Sequence, residues 1–216
     1  MFPAMANKGD RTREKILATA ESLVLESGFA GTTLDDILRA TGVTKGAFFH
    51  HFKGKADLAR ALVERYRRNH GRLFERLVAE ADANCDDPLE ATVHLLQRFE
   101  AFVEARSTPL PGCVYAACTH EGGQFDATLR DAIADGLKRW AAVYEAKFGA
   151  VLACYEPKIP VSAKELAEMI VAIIEGGLIL SRSYGDAHLV ARQSRQVRNY
   201  LELIFAEREP RSVAQG

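Results

Sequence analysis

The chain has 216 residues, 48% of them hydrophobic, and 28 Lys and Arg against 29 Asp and Glu give a formal net charge of −1. This length suits one medium domain or two small ones with an ample core, and the hydrophobic content excludes global disorder. Near-neutrality excludes indiscriminate coating of nucleic acid, and no run of about 18 apolar residues offers a membrane-spanning helix.

The N-terminus, MFPAMANKGDR, lacks the apolar core of a signal peptide and reads as a short disordered tail. Four cysteines (Cys85, Cys113, Cys118 and Cys154) without a secretion signal imply reduced thiols and a cytoplasmic protein. Cys113 and Cys118 form a C-x4-C pair with no second pair to complete a zinc tetrahedron, so no metal site is expected.

The first helix spans roughly Arg11 to Ser27, with Ile16, Leu17, Ala20, Leu23 and Val24 on one stripe. It stops at Gly28, and Phe29 closes a small core. Arg11, Arg13 and Lys15 are either phosphate contacts or, more commonly in such helices, a solvated face.

Thr32 to Phe52 (TTLDDILRATGVTKGAFFHHF) reads as two short helices joined by a tight turn. Thr33 and Asp36 have the spacing of a capping box, Leu34, Ile37 and Leu38 fall at helical spacing, and Gly42 suits a left-handed C′ position. Thr44 is placed to cap a second helix, Lys45 to His51. Helix, Gly-containing turn, helix is the helix-turn-helix pattern, whose second member enters the DNA major groove. An ordinary αα-hairpin is the bland alternative. The second helix bears on the choice. Thr44 and the first-turn N–H groups suit a phosphate, and Lys45 adds a cation. Gly46 costs about 1 kcal/mol inside a helix, which makes sense where backbone must press close to base edges. Phe48 and Phe52 form the side that packs on protein.

A long helix from Lys55 to about Ala83 follows, buried along Leu58, Leu62, Tyr66, Leu73 and Leu77. Lys55 in its first turn opposes the helix dipole, a small cost that is reasonable if it faces DNA. This helix joins the two halves of the chain and would carry movement between them. Residues 1–72 hold 13 Lys and Arg against 8 Asp and Glu, and the remainder 15 against 21. A basic start and an acidic remainder suit a protein that binds DNA by one end.

The remainder reads as all helix. Asp87-Pro88-Leu89-Glu90 opens a helix to about Arg106, whose apolar residues on several sides (Leu89, Val93, Leu96, Phe99, Phe102, Val103) indicate burial. Pro109 and Pro111 break the chain before a short helix from Cys113 to His120. Another runs from Asp126 to Cys154, with Leu129, Ile133, Leu137, Trp140, Tyr144 and Phe148 inward. Ser162 and Glu165 box the start of a helix to Tyr184, and a last one spans about Ala187 to Ala206. No catalytic constellation stands out: the chain lacks G-x-S-x-G, H-E-x-x-H, Walker and dinucleotide fingerprints, so neither an enzyme nor a cofactor is expected. His94, His120 and Glu121 could approach one another, but scattered polar residues are the commoner case.

Thr32, Thr33, Leu34, Ile37, Gly42, Val43, Thr44, Gly46, His51, Phe52, Lys55 and Leu58 match, at fixed spacing, the N-terminal domain of the TetR family of bacterial transcriptional regulators, which residues 11–58 resemble. The resemblance departs at Thr41, where a small Ala is usual. It departs again at Phe49, where the family usually has a Tyr whose hydroxyl reaches a phosphate. It implies an all-α protein: a three-helix helix-turn-helix domain over residues 1–54, its linking helix starting up to about residue 72, and a larger ligand-binding and dimerisation domain over 55–216. Candidate DNA contacts are Thr33, Thr44, Lys45, Gly46, Phe49, His50, His51 and Lys55. The last two long helices form the family's dimer interface, which points to Ile170, Ile174, Gly177, Leu178, Val197, Tyr200, Leu201 and Ile204. Aromatics at helical spacing are more often core than ligand box, but such regulators usually hold a small molecule here. Phe99, Phe102, Cys113, Trp140, Tyr144 and Glu175 are the candidates, with His94 a further polar anchor.

Pro111-Gly112-Cys113-Val114-Tyr115 with Glu121 also resembles a motif of one family branch, some members of which sense electrophiles or oxidants through cysteine. At a helix start Cys113 would be the more reactive thiol; the competing reading is a buried structural cysteine. The functional expectation is a homodimeric repressor that binds a palindromic operator on double-stranded DNA and is released by a small-molecule inducer or a thiol-reactive signal. The alternative is a helical ligand-binding or thiol-redox protein whose helix-turn-helix is only structural.

Overall fold

The structure, a computed structural model, describes residues 8–119 and 125–205. Among these residues it is all helix: α1 (Lys8–Gly31), α2 (Leu34–Thr41), α3 (Lys45–His51), α4 (Lys55–Asn84), α5 (Pro88–Glu104), α6 (Val114–Thr119), α7 (Ala127–Cys154), α8 (Ala163–Tyr184) and α9 (Leu189–Ile204). No helix is long and apolar enough to cross a membrane, among the described residues. His120 and Glu121 lie outside them.

Two compact units divide the chain. The first comprises Met1–Gly71 and Pro111–Asp135, the second Arg72–Leu110 and Gly136–Gly216. The N-terminal unit therefore takes in more than residues 1–54, and its additions are held by specific contacts. Tyr115 of α6 meets Tyr66 of α4 edge-on at 5.1 Å, and Phe125 meets Phe29 at 4.9 Å. Arg60 pairs with Asp126, and α6 packs on α1. Within α1, Gly28 at φ 76° interrupts the helix where the sequence places its end, and the Thr32 hydroxyl donates to the Gly28 carbonyl at 2.8 Å. Ile16, Leu17, Phe48, Leu58 and Leu62 are wholly buried, so α1, α3 and α4 share one interior. Arg65 of α4 holds two carboxylates of α1, Glu14 at 2.7 Å and Glu21.

One turn on, the His70 ring lies against Tyr66 with centroids 3.8 Å apart. Burial, and secondarily the positive charge of Arg65, lower its pKa below the ordinary 6.5. The unfolded chain therefore binds a proton that the folded one resists. His70 supports the neutral folded state above pH 6.5, and this support is lost as pH falls from there through the depressed folded value. Urea midpoints at pH 7.5 and 5.5 should show a fall in stability that is smaller in His70→Phe; equal falls would assign the acid sensitivity elsewhere.

The C-terminal unit is built around α9, which packs on both α5 and α8. Its interior joins Leu95 and Leu96 of α5, Tyr144, Phe148 and Val151 of α7, Leu166 and Ile170 of α8, and Leu201 of α9. Two of its helices, α5 and α8, start on side-chain caps. The Asp87 carboxylate accepts from Leu89 N and Glu90 N at 3.0 and 2.8 Å, with Pro88 in the first turn. Ser162 and Glu165 form the reciprocal box that opens α8, and Gly185 at φ 67° closes it. A buried charge crosses between helices: Glu100 of α5, 5% exposed, accepts a two-pronged contact from Arg198 of α9 at 3.3 and 3.4 Å. Arg195 stands 3.8 Å from the same carboxylate.

This packing redistributes the residues assigned to a dimer interface. Ile170, Gly177, Leu178, Val197, Leu201 and Ile204 are buried in the chain's own interior, while Ile174 and Tyr200 are half-buried against it. A Cβ on Gly177 would stand 3.6 Å from Val190, so this glycine serves the α8–α9 approach inside one chain. Gly176 has nothing within 4 Å of its Cβ position. On its stripe lie Ile179, Leu180 and Tyr184, exposed by 57, 40 and 69%. Periodicity identified the two helices, but which side each would give to its neighbour depended on where α9 lies.

Candidate nucleic-acid interface

The helix-turn-helix forms as the residues dictate. Thr33 accepts from Asp36 N at 3.1 Å, and Asp36 Oδ2 accepts from Thr33 N at 3.1 Å. The hydrogen bonds from the Thr33 side chain and backbone hold the Asp36 carboxyl below its ordinary pKa. Gly42 adopts the left-handed conformation at φ 66° and donates to Leu38 O at 2.9 Å. Thr41 gains a role beyond replacing a small residue: its buried hydroxyl donates to Ile37 O at 2.7 Å and accepts from Val43 N at 3.3 Å, stitching the turn.

Thr44 caps α3 by accepting from Ala47 N at 3.3 Å. Phe48 is wholly buried and Phe52 2% exposed, so α3 is fixed to the unit by one side. The opposite side presents Lys45, Gly46, Phe49 and His50, all exposed and spaced to share one face. Thr33 and Thr44 are exposed as well. His51 is half-buried, its ring 6.4 Å from that of Phe52, at the margin of the face. Lys55 is engaged within the chain: its ammonium donates to Ala30 O at 3.3 Å and lies 4.5 Å over the Phe29 ring. It thus ties the start of α4 to the end of α1. Arg13 likewise sits over Phe52, at 5.2 Å. Both contacts join residues far apart in sequence, so spacing gave no sign of them.

The six ligand candidates fall in both units. Cys113 belongs to the N-terminal unit and the other five to the C-terminal unit. Cys113 is 4% exposed and precedes the six-residue α6. Tyr144 packs in the interior, 5.2 Å from Phe74, and burial pushes its hydroxyl pKa up. Phe99, Trp140 and Glu175 are half-buried, and Phe102 is exposed. The C-terminal unit does contain a cleft of about 440 Å³, lined by Cys85, by Leu89, Val93 and His94 of α5, and by Glu202 and Phe205 at the end of α9. Only His94 of the sequence candidates borders it. Among the described residues, no three His, Cys, Asp or Glu are grouped to hold a metal ion.

Residues 16–62 match the family described as bacterial regulatory proteins, tetR family. Residues 88–196 match the C-terminal domain of LmrA/YxaF-like transcriptional regulators. The HTH-type transcriptional regulator LmrA of Bacillus subtilis is 30% identical over 171 residues, covering 79% of this chain and 86% of that protein. The HTH-type transcriptional repressor NemR of Escherichia coli K12 is 32% identical over 128 residues, 59% of this chain and 62% of its own. In three dimensions, a TetR-family regulator from Agrobacterium tumefaciens superposes with a TM-score of 0.74 at 24% identity, covering 92% of this chain and all of that one. A helix-turn-helix with a bare outward face, an all-helical C-terminal unit and these matches along most of the chain agree. The chain belongs to the TetR family of bacterial regulatory proteins and is a DNA-binding transcriptional regulator.

Proposed function

We propose that the protein is a homodimeric, cytoplasmic repressor that sets α3 of each subunit into the major groove of a palindromic operator. Gly46 carries this reading. It stands inside a seven-residue helix at a cost of about 1 kcal/mol, yet a Cβ there would meet nothing within 4 Å. The chain's own packing does not require the missing side chain, which supports an outside partner as its reason. Thr44, Lys45 and His50 flank the bare spot with phosphate and base donors, and Thr33 offers another at the start of α2. A small ligand in the C-terminal unit favours a state in which the two reading helices no longer match successive major grooves, about 34–36 Å apart. A mobility-shift titration against DNA flanking the protein's own coding sequence tests the reading. Binding no tighter there than to scrambled DNA would refute it.

The dimer is proposed to form on the outward stripe of Gly176, Ile179, Leu180 and Tyr184. Two adjacent substitutions separate this surface from the chain's interior. Gly176→Leu should leave the urea midpoint unchanged or raised, and shift the protein to monomer in sedimentation. Gly177→Leu should lower stability by about 1–3 kcal/mol, because its branches drive into Val190. An intact dimer in Gly176→Leu would place the interface elsewhere.

A further inference from the structure

We infer that Phe49 reads sequence directly: its exposed ring makes the apolar contact with the 5-methyl group of one thymine in each operator half-site. The inference rests on α3 being the DNA-reading helix and adds what one of its residues recognises. Phe49 is 46% exposed on the face that also carries Lys45, Gly46 and His50. Its ring stands edge-to-face against the wholly buried Phe48, with centroids 5.5 Å apart and planes at 88°, so a fixed neighbour backs it as it projects outward. Lys45 and His50 bring N–H donors to this face. The phenyl ring brings neither donor nor acceptor.

That chemistry narrows what the ring can meet. A phosphate oxygen pressed on it would lose hydration and gain no hydrogen bond. In the major groove the base edges present mainly donors and acceptors, and the most prominent apolar group among them is the methyl of thymine. Gly46, three residues earlier on the same face, removes the side chain that would hold the helix off the groove floor, and so lets the ring reach base-edge depth. Where the resembled family usually places a phosphate-binding hydroxyl, a contact indifferent to sequence is thus exchanged for one that selects thymine.

The test begins with selection of a binding site from random duplex DNA by the full-length protein, followed by fluorescence anisotropy. Each thymine of the selected site is then replaced singly by deoxyuridine, which removes the methyl and keeps the pairing. One thymine per half-site is expected to lose about three- to fivefold in affinity on replacement, and roughly tenfold or more when both half-sites are changed. Phe49→Ala, measured at low salt where phosphate contacts keep it bound, should hold the thymine and uridine sites equally. Phe49→Tyr, which retains the ring, should keep the discrimination. The inference is overturned if no thymine shows a methyl effect in the wild type, or if the effect persists undiminished in Phe49→Ala. Selection that enriches no sequence would overturn the assignment of α3 as the reading helix as well, an outcome distinct from an enriched site without methyl dependence.

Discussion

Replacing Gly46 by leucine is expected to lower specific operator affinity by about a hundredfold or more while making the free protein slightly more stable. The two effects have opposite signs because one belongs to the free helix and the other to its complex with DNA. Within the chain a Cβ at residue 46 meets nothing within 4 Å, so leucine adds only its helix propensity, less than about 1 kcal/mol better than glycine. In the proposed complex the same side chain would occupy the space that lets the backbone approach the bases. Overpacking a close contact costs about 1–3 kcal/mol, and the proposed two-fold symmetric complex would incur it at both half-sites. Thermal melting and anisotropy on one preparation check both signs. A variant that melts higher and binds as wild type would take α3 out of the interface.

Replacing Arg198 by methionine should destabilise the protein by about 3 kcal/mol at neutral pH. Glu100 is only 5% exposed, and both of its oxygens are held by Arg198 at 3.3 and 3.4 Å. Without the guanidinium a buried carboxylate is left with Arg195 at 3.8 Å, itself shared with Glu104. Breaking such a pair typically costs about 3–5 kcal/mol, and the remaining arginine holds the loss to the low end. The double variant Glu100→Leu with Arg198→Met should recover to within about 1 kcal/mol of wild type, since both desolvation penalties disappear together. Urea denaturation of the three proteins measures this. A loss below about 1 kcal/mol in Arg198→Met would mean that water reaches Glu100 freely and that the pair adds little.

Features decided by neighbours in sequence were legible without coordinates. The Thr33–Asp36 and Ser162–Glu165 boxes, the Gly42 turn and the limits of α3 follow from capping and left-handed backbone chemistry, which act within about four residues. What escaped depends on distant partners. Lys55 reaches Ala30, 25 residues earlier, and no periodicity reports it. Gly176 and Gly177 look alike in sequence, yet consecutive residues point about 100° apart, and only the position of Val190 shows which is internal. The aromatic stripe on α5 and α7 marked inward-facing residues correctly for Tyr144 and Phe148. An inward stripe says nothing about whether the space beyond it is filled. Cys113 stood at a helix start, as spacing implied, but its burial comes from the surrounding N-terminal unit.

The grouping of Pro111–Asp135 with Met1–Gly71 sets an order of events during synthesis. Phe29 and Tyr66 leave the ribosome long before Phe125 and Tyr115, the rings they rest against. At translation rates of about 5–20 residues per second, the stretch from residue 71 to residue 135 takes roughly 3–13 s to emerge. For that interval the nascent reading head carries an unfinished apolar surface, and its loop-closure entropy is offset only when the later segment arrives. Completion of the part that meets DNA is thereby tied to the making of the middle of the chain, so a truncated transcript yields a head with its interior open.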